Sequence, residues 1–98
     1  MQHFVVLVSF TTSPSSHAEA LSLIDDYVDS FLSQQPGFVR SYLNENEAHT
    51  ELVHFAMWEN EAAFRAFAEK AQNHPALEKI RSYAPSPAFY SSCRSYGA

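Results

Sequence analysis

The sequence predicts an α+β fold: an antiparallel four-stranded sheet with helices on one face. Three observations carry this expectation. Segments rich in β-branched and aromatic residues occur four times, at residues 3–11, 38–44, 50–58 and 88–96. Apolar residues recur at helical spacing after the first segment and again after the third. The chain has 98 residues, enough for one domain (1–98), and 46% of them are hydrophobic, too many for a disordered chain.

The first strand is HFVVLVSFT, too short for an average helix and rich in Val and Phe. Pro14 follows in a Ser-rich stretch, and Ser16 with Glu19 three residues on forms a capping-box pattern. Leu21, Ile24, Val28, Phe31 and Leu32 then make the apolar stripe of a helix over roughly 16–34. Gln35-Pro36-Gly37 ends it, with Pro and Gly suited to the central positions of a type II turn. FVRSYLN and TELVHFAMW read as a hairpin joined by the polar residues 45–49. Asn60 is a candidate cap for a second helix, with Ala63, Phe64, Phe67, Ala68 and Ala71 facing inward. Asn73-His74-Pro75 restarts a short helix that turns Leu77 and Ile80 inward. Pro85 and Pro87 bracket a loop before the last strand. The order β-α-β-β-α-β is the ferredoxin-like split βαβ arrangement.

In the first and third strands both alternating sets are largely apolar. Phe4, Val6, Val8 and Phe10 alternate with Val5 and Leu7, and Leu52, His54, Ala56 and Trp58 alternate with Val53, Phe55 and Met57. A lone sheet of this kind has one face in water and alternates apolar with polar. The second face therefore calls for a cover, and a second copy of the chain is the simplest one, giving a homodimer through the sheet face.

Composition excludes several functions. Six Lys and Arg against eleven Asp and Glu give a net charge of −5, and the basic residues are scattered. Nucleic-acid binding and attraction to an anionic membrane are disfavoured. The apolar run at 4–8 is too short to span a bilayer and lacks the flanks of a signal peptide. The single cysteine, Cys93, permits no intrachain disulfide, which fits a reducing compartment and a cytoplasmic protein. Two glycines leave no phosphate-cradling loop, and there is no zinc pattern or dinucleotide fingerprint. No metal and no cofactor are expected.

The residues that could carry chemistry centre on the third strand. His54 and Trp58 are four apart and share a face, with the small Ala56 between them. A satisfied core histidine beside a core tryptophan has the same pattern. A pocket would instead leave an imidazole free to take a proton near neutral pH. Arg40 stands across from His54 if the hairpin closes between Asn44 and Thr50, and a one-residue shift sends it to the other face. Tyr27, Phe64 and Phe67 lie on or near inner helical stripes and would wall any cavity. Arg81 points either to that cavity or to solvent. His3, His17 and His49 read as exposed, His74 as a helix-start residue and Cys93 as packing.

Gln35-Pro36-Gly37-Phe38-Val39 and the later segment from His54 to Phe64, with Trp58-Glu59 and Ala63-Phe64, resemble the antibiotic biosynthesis monooxygenase family. The resemblance extends over nearly the whole chain in length and element order. It implies a dimeric α+β barrel and a small monooxygenase that oxidises a phenolic, anthrone-like or quinol-like aromatic with O2 and no cofactor. In such enzymes a third-strand tryptophan and an asparagine four residues earlier line the pocket. Trp58 matches the tryptophan, whereas His54 stands in place of the asparagine. Of these residues the resemblance reaches Trp58; the pattern of the residues themselves adds His54 as base or hydrogen-bond partner, so that His54 and Trp58 are the catalytic candidates, and Arg40, Tyr27, Phe64, Phe67 and Arg81 the substrate-binding candidates. A non-catalytic dimer that binds a small hydrophobic molecule, or a stress-related protein, is the alternative. Haem degradation ranks third, because the first strand has no asparagine and His74 is only a loose match to the iron-binding histidine.

Overall fold

A computed structural model describes residues 3–97. Strands β1 (Phe4–Thr11), β2 (Phe38–Glu45), β3 (Glu51–Trp58) and β4 (Ser86–Tyr90) form one antiparallel sheet in the order β2-β3-β1-β4. Helices α1 (His17–Ser30), α2 (Glu61–Ala71) and the short α3 (Leu77–Arg81) fill the connections. This is the ferredoxin-like α+β fold. The core lies between sheet and helices. Phe4, Val6 and Phe10 of β1 and Leu52, Ala56 and Trp58 of β3 meet Ala20, Ile24 and Tyr27 of α1 and Phe67 and Ala71 of α2.

Local chemistry explains most boundaries. Gly37 has φ +84°, and Phe38 N–H donates to the Gln35 carbonyl at 3.2 Å, as a type II turn requires. A side chain at Gly37 would also collide with the Ala63 methyl group, so two constraints select glycine there. The Gly37 carbonyl accepts the Glu59 N–H at 2.8 Å, which ties this turn to the entry of α2. Asn60 caps α2, its side-chain oxygen accepting the Ala63 N–H at 2.8 Å. His74 starts the next segment: its Nδ1 accepts the Ala76 N–H at 3.0 Å.

Four expectations need correction. Helix α1 stops at Ser30, and a 3₁₀ turn, Leu32–Gln34, replaces its predicted last turn. The capping box does not form. Ser16 Oγ instead turns back to accept the Ser13 N–H at 3.0 Å, and the Ser13 carbonyl receives the His17 N–H at 2.8 Å. Strand β4 begins earlier and ends sooner than residues 88–96, with Pro87 inside it opposite Val8. Proline is tolerated because β4 is an edge strand. The hairpin turn lies at Asn46–Thr50, fastened by the Asn46 side-chain oxygen, which accepts the N–H groups of Thr50 and Glu51 at 2.9 and 3.0 Å.

That turn sets the hairpin register. Leu43 pairs with His54 and Arg40 with Met57, with an irregularity between Phe38 and Arg40. Leu43, Ser41 and Phe38 therefore face the helices, while Arg40 and Tyr42 face the reverse side with Met57 and Phe55. On that reverse side Val5 and Met57 are buried, yet Tyr42 and Tyr90 remain 55% and 48% exposed. A groove of about 230 Å³ runs there between Arg40, Tyr42, Met57 and the segment bearing Cys93 and Ser95.

Candidate functional site

A cavity of about 220 Å³ opens between the sheet and the helices. Strand β3 supplies its floor with His54, Ala56 and Trp58, the alternate residues that face inward. Ala56 keeps the middle of the floor low. Tyr27 enters from α1, Phe64 and Phe67 from α2, and Leu77 and Arg81 from α3. The indole of Trp58 is locked by aromatic neighbours. Phe67 stacks on it with centroids 5.1 Å apart, and Phe38 and Phe64 meet it edge-on at 5.7 and 6.0 Å.

Two of the polar residues of this cavity have a ring nitrogen without a partner. His54 Nε2 and Trp58 Nε1 are both buried and make no hydrogen bond within the described residues. Burying a polar group without a hydrogen bond costs on the order of 1–3 kcal/mol, so two such groups on residues of one apolar space make it the candidate ligand site. Burial pushes the His54 imidazole down to about 4, so the ring is neutral at neutral pH. A neutral imidazole has one N–H and one lone pair, and can donate to an oxygen or accept its proton. Tyr27 is pushed up to about 12, also by burial. It stays a protonated phenol.

The structure brings together six of the seven residues singled out in the sequence. His54, Trp58, Tyr27, Phe64, Phe67 and Arg81 all line the cavity, Arg81 as an exposed residue at its rim. Arg40 does not join them. The hairpin register puts it opposite Met57, on the reverse face of the sheet. Sequence reasoning missed the aliphatic part of the wall, including Val8, Val28 and Leu32. Their helical and strand periodicity was readable, but it does not separate a cavity wall from solid core.

A second histidine also departs from expectation. His17 is 3% exposed rather than on the surface. Its Nδ1 lies 2.7 Å from Thr12 Oγ1, and its Nε2 lies 3.1 Å from Glu45 Oε1. His49, which is exposed as expected, stacks on it with centroids 4.9 Å apart. This cluster joins the start of α1 to the β2–β3 hairpin. Parallel stacked rings cannot aim their in-plane lone pairs at a common point. Among the described residues no group of three or more His, Cys, Asp and Glu is arranged to hold a metal ion. No helix there is long and apolar enough to cross a membrane.

Comparison with known proteins adds to this geometry. Residues 3–79 match the antibiotic biosynthesis monooxygenase family. The chain is similar to tetracenomycin-F1 monooxygenase of Streptomyces glaucescens, 26% identical over 96 residues that cover 97% of this chain and 86% of the relative. Among solved structures it is similar to an asparagine-to-alanine mutant of SnoaB, a cofactor-independent oxygenase from Streptomyces nogalater. That pair has a TM-score of 0.83 and 23% identity, with 97% of each chain covered. It is also similar to the monooxygenase from the gene ActVA-Orf6 of Streptomyces coelicolor, solved with the ligand nanaomycin D. Here the TM-score is 0.79 and the identity 22%, over 99% of this chain and 93% of the other. The family match spans the strand that carries His54 and Trp58 and helices α1 and α2 above them. This chain belongs to the antibiotic biosynthesis monooxygenase family.

Proposed function

We propose that the chain is a cofactor-independent monooxygenase that oxidises a phenolic, anthrone-like or quinol-like aromatic with O2. The observation that carries this reading is the pair of buried, partnerless nitrogens, His54 Nε2 and Trp58 Nε1, on two residues that line one apolar cavity. The names of its relatives, a tetracenomycin-F1 monooxygenase and a cofactor-independent oxygenase, support it.

The chemistry follows from what such a cavity supplies. O2 reacts slowly with closed-shell molecules because of spin, but an electron-rich phenolate or enolate passes it one electron directly. His54 takes the proton that makes the substrate an anion. Its low basicity belongs to the empty cavity, and a phenolate forming beside it stabilises the imidazolium. The Trp58 N–H and the Arg81 guanidinium stabilise the anion's oxygen and outer charge. Superoxide and the substrate radical recombine to a carbon-bound peroxide anion, which takes the proton back from the His54 imidazolium to become a hydroperoxide. Loss of water from it leaves a carbonyl, so that CH2 and O2 become C=O and H2O. The apolar walls exclude water from these steps.

Oxygen uptake with an anthrone and with a hydroquinone tests the proposal. Uptake that is lost in a folded His54→Ala variant supports it. Uptake that is absent in the wild type, or unchanged in the variant, overturns it. We also propose that a second copy of the chain covers the reverse face, where Tyr42 stands exposed beside Phe55 and Met57 and Tyr90 stands exposed opposite Val5. A protomer mass by light scattering at micromolar concentration would refute this.

A further inference from the structure

Two tyrosines and two histidines are buried to nearly the same degree, and they divide by location. Tyr83 is 6% exposed and its hydroxyl donates to Glu19 Oε1 at 3.3 Å. His17 is 3% exposed and both of its ring nitrogens have partners. Neither lines the cavity. Tyr27 is 8% exposed and His54 is 5% exposed, and both line it. His54 Nε2 has no partner. The Tyr27 hydroxyl is shifted by burial alone, with no hydrogen bond contributing. Among the described residues the two buried nitrogens without a partner, His54 Nε2 and Trp58 Nε1, both belong to residues of the cavity wall.

Tyr27 is also held still. His74 meets its ring edge-on with centroids 4.9 Å apart, and Phe31 packs against it at 5.5 Å. His74 is itself fixed, because its Nδ1 accepts the Ala76 N–H. A clamped phenol that is neutral throughout the working pH range is a hydrogen-bond donor of fixed direction. It reaches the cavity from α1, whereas His54 and Trp58 reach it from the sheet.

We propose that Tyr27 is a specificity-determining residue whose hydroxyl binds a second oxygen of the substrate. One oxygen meets His54 and Trp58 at the sheet, and the other meets Tyr27 under the helices. The cavity's volume of about 220 Å³ favours a compact ring system, since pockets for drug-sized ligands start at about 300 Å³. This inference rests on the proposed function of the same site, which supplies the first oxygen's partners.

Calorimetric titration without oxygen, so that nothing turns over, separates the two. The probes are 1-naphthol and naphthalene-1,4-diol, which differ by the second hydroxyl alone. The wild type binds the diol about tenfold more tightly than 1-naphthol. Tyr27→Phe removes that advantage by weakening the diol alone, leaving 1-naphthol affinity and thermal stability unchanged. Equal affinities in the wild type overturn the role of Tyr27 while the proposed function stands. So does a Tyr27→Phe variant that weakens both probes alike or neither. Failure of the wild type to bind either probe overturns both readings.

Discussion

His17 and His54 are both buried, but they have opposite surroundings. His17 sits between Thr12 and Glu45 with each ring nitrogen engaged, and it fastens a helix to a hairpin. His54 sits on the cavity floor with Nε2 unengaged and its basicity lowered by burial. Burial alone does not single out a candidate functional histidine. The hydrogen-bond account does, because a satisfied group stabilises the fold and an unsatisfied one costs stability unless a ligand engages it.

The comparison breaks most visibly in activity. Replacing His54 by Phe lowers the oxygen-uptake rate at least about 100-fold, the loss typical of one preorganised polar group at a reacting oxygen. The same variant is at least as stable as the wild type in urea, because the unpaired nitrogen has gone. Next comes acidity. The folded-state value of about 4 for His54 lies below the ordinary 6.5. The unfolded chain therefore binds more protons between these values. Stability is complete above pH 6.5 and falls as the pH drops toward 4, by roughly 3 kcal/mol. Urea midpoints across that window show the slope, and His54→Phe flattens it. His17→Phe gives the converse result: a loss of about 2 kcal/mol from two broken hydrogen bonds, with affinity for 1-naphthol retained. The smallest effect belongs to Arg40. Because it lies on the reverse face, Arg40→Met changes the affinity for either naphthalene probe by no more than about twofold.

The sequence disclosed the first three strands, the Pro-Gly turn and the Asn60 cap because each is a local pattern, whereas the last strand ends at Tyr90. It disclosed His54 and Trp58 for the same reason, since alternation on one strand puts both on one face. Arg40 was beyond reach. Its face depends on where the hairpin turns, and that depends on the Asn46 side chain binding the Thr50 and Glu51 amides. His17 was beyond reach for a related reason. Its partners Thr12 and Glu45 come from other elements, and only the folded chain brings them together. The empty space above Ala56 was legible as a possibility, but an apolar stripe reads the same whether it walls a cavity or fills a core.

The contact between Gly37 and Ala63 has a consequence for how such proteins diversify. A backbone with no side chain presses directly on a methyl group at the start of α2. The height of that helix above the sheet is thereby set by two of the smallest residues available. Enlarging Ala63 would jack up the roof that carries Phe64 and Phe67, giving bulkier guests headroom without altering any atom they touch.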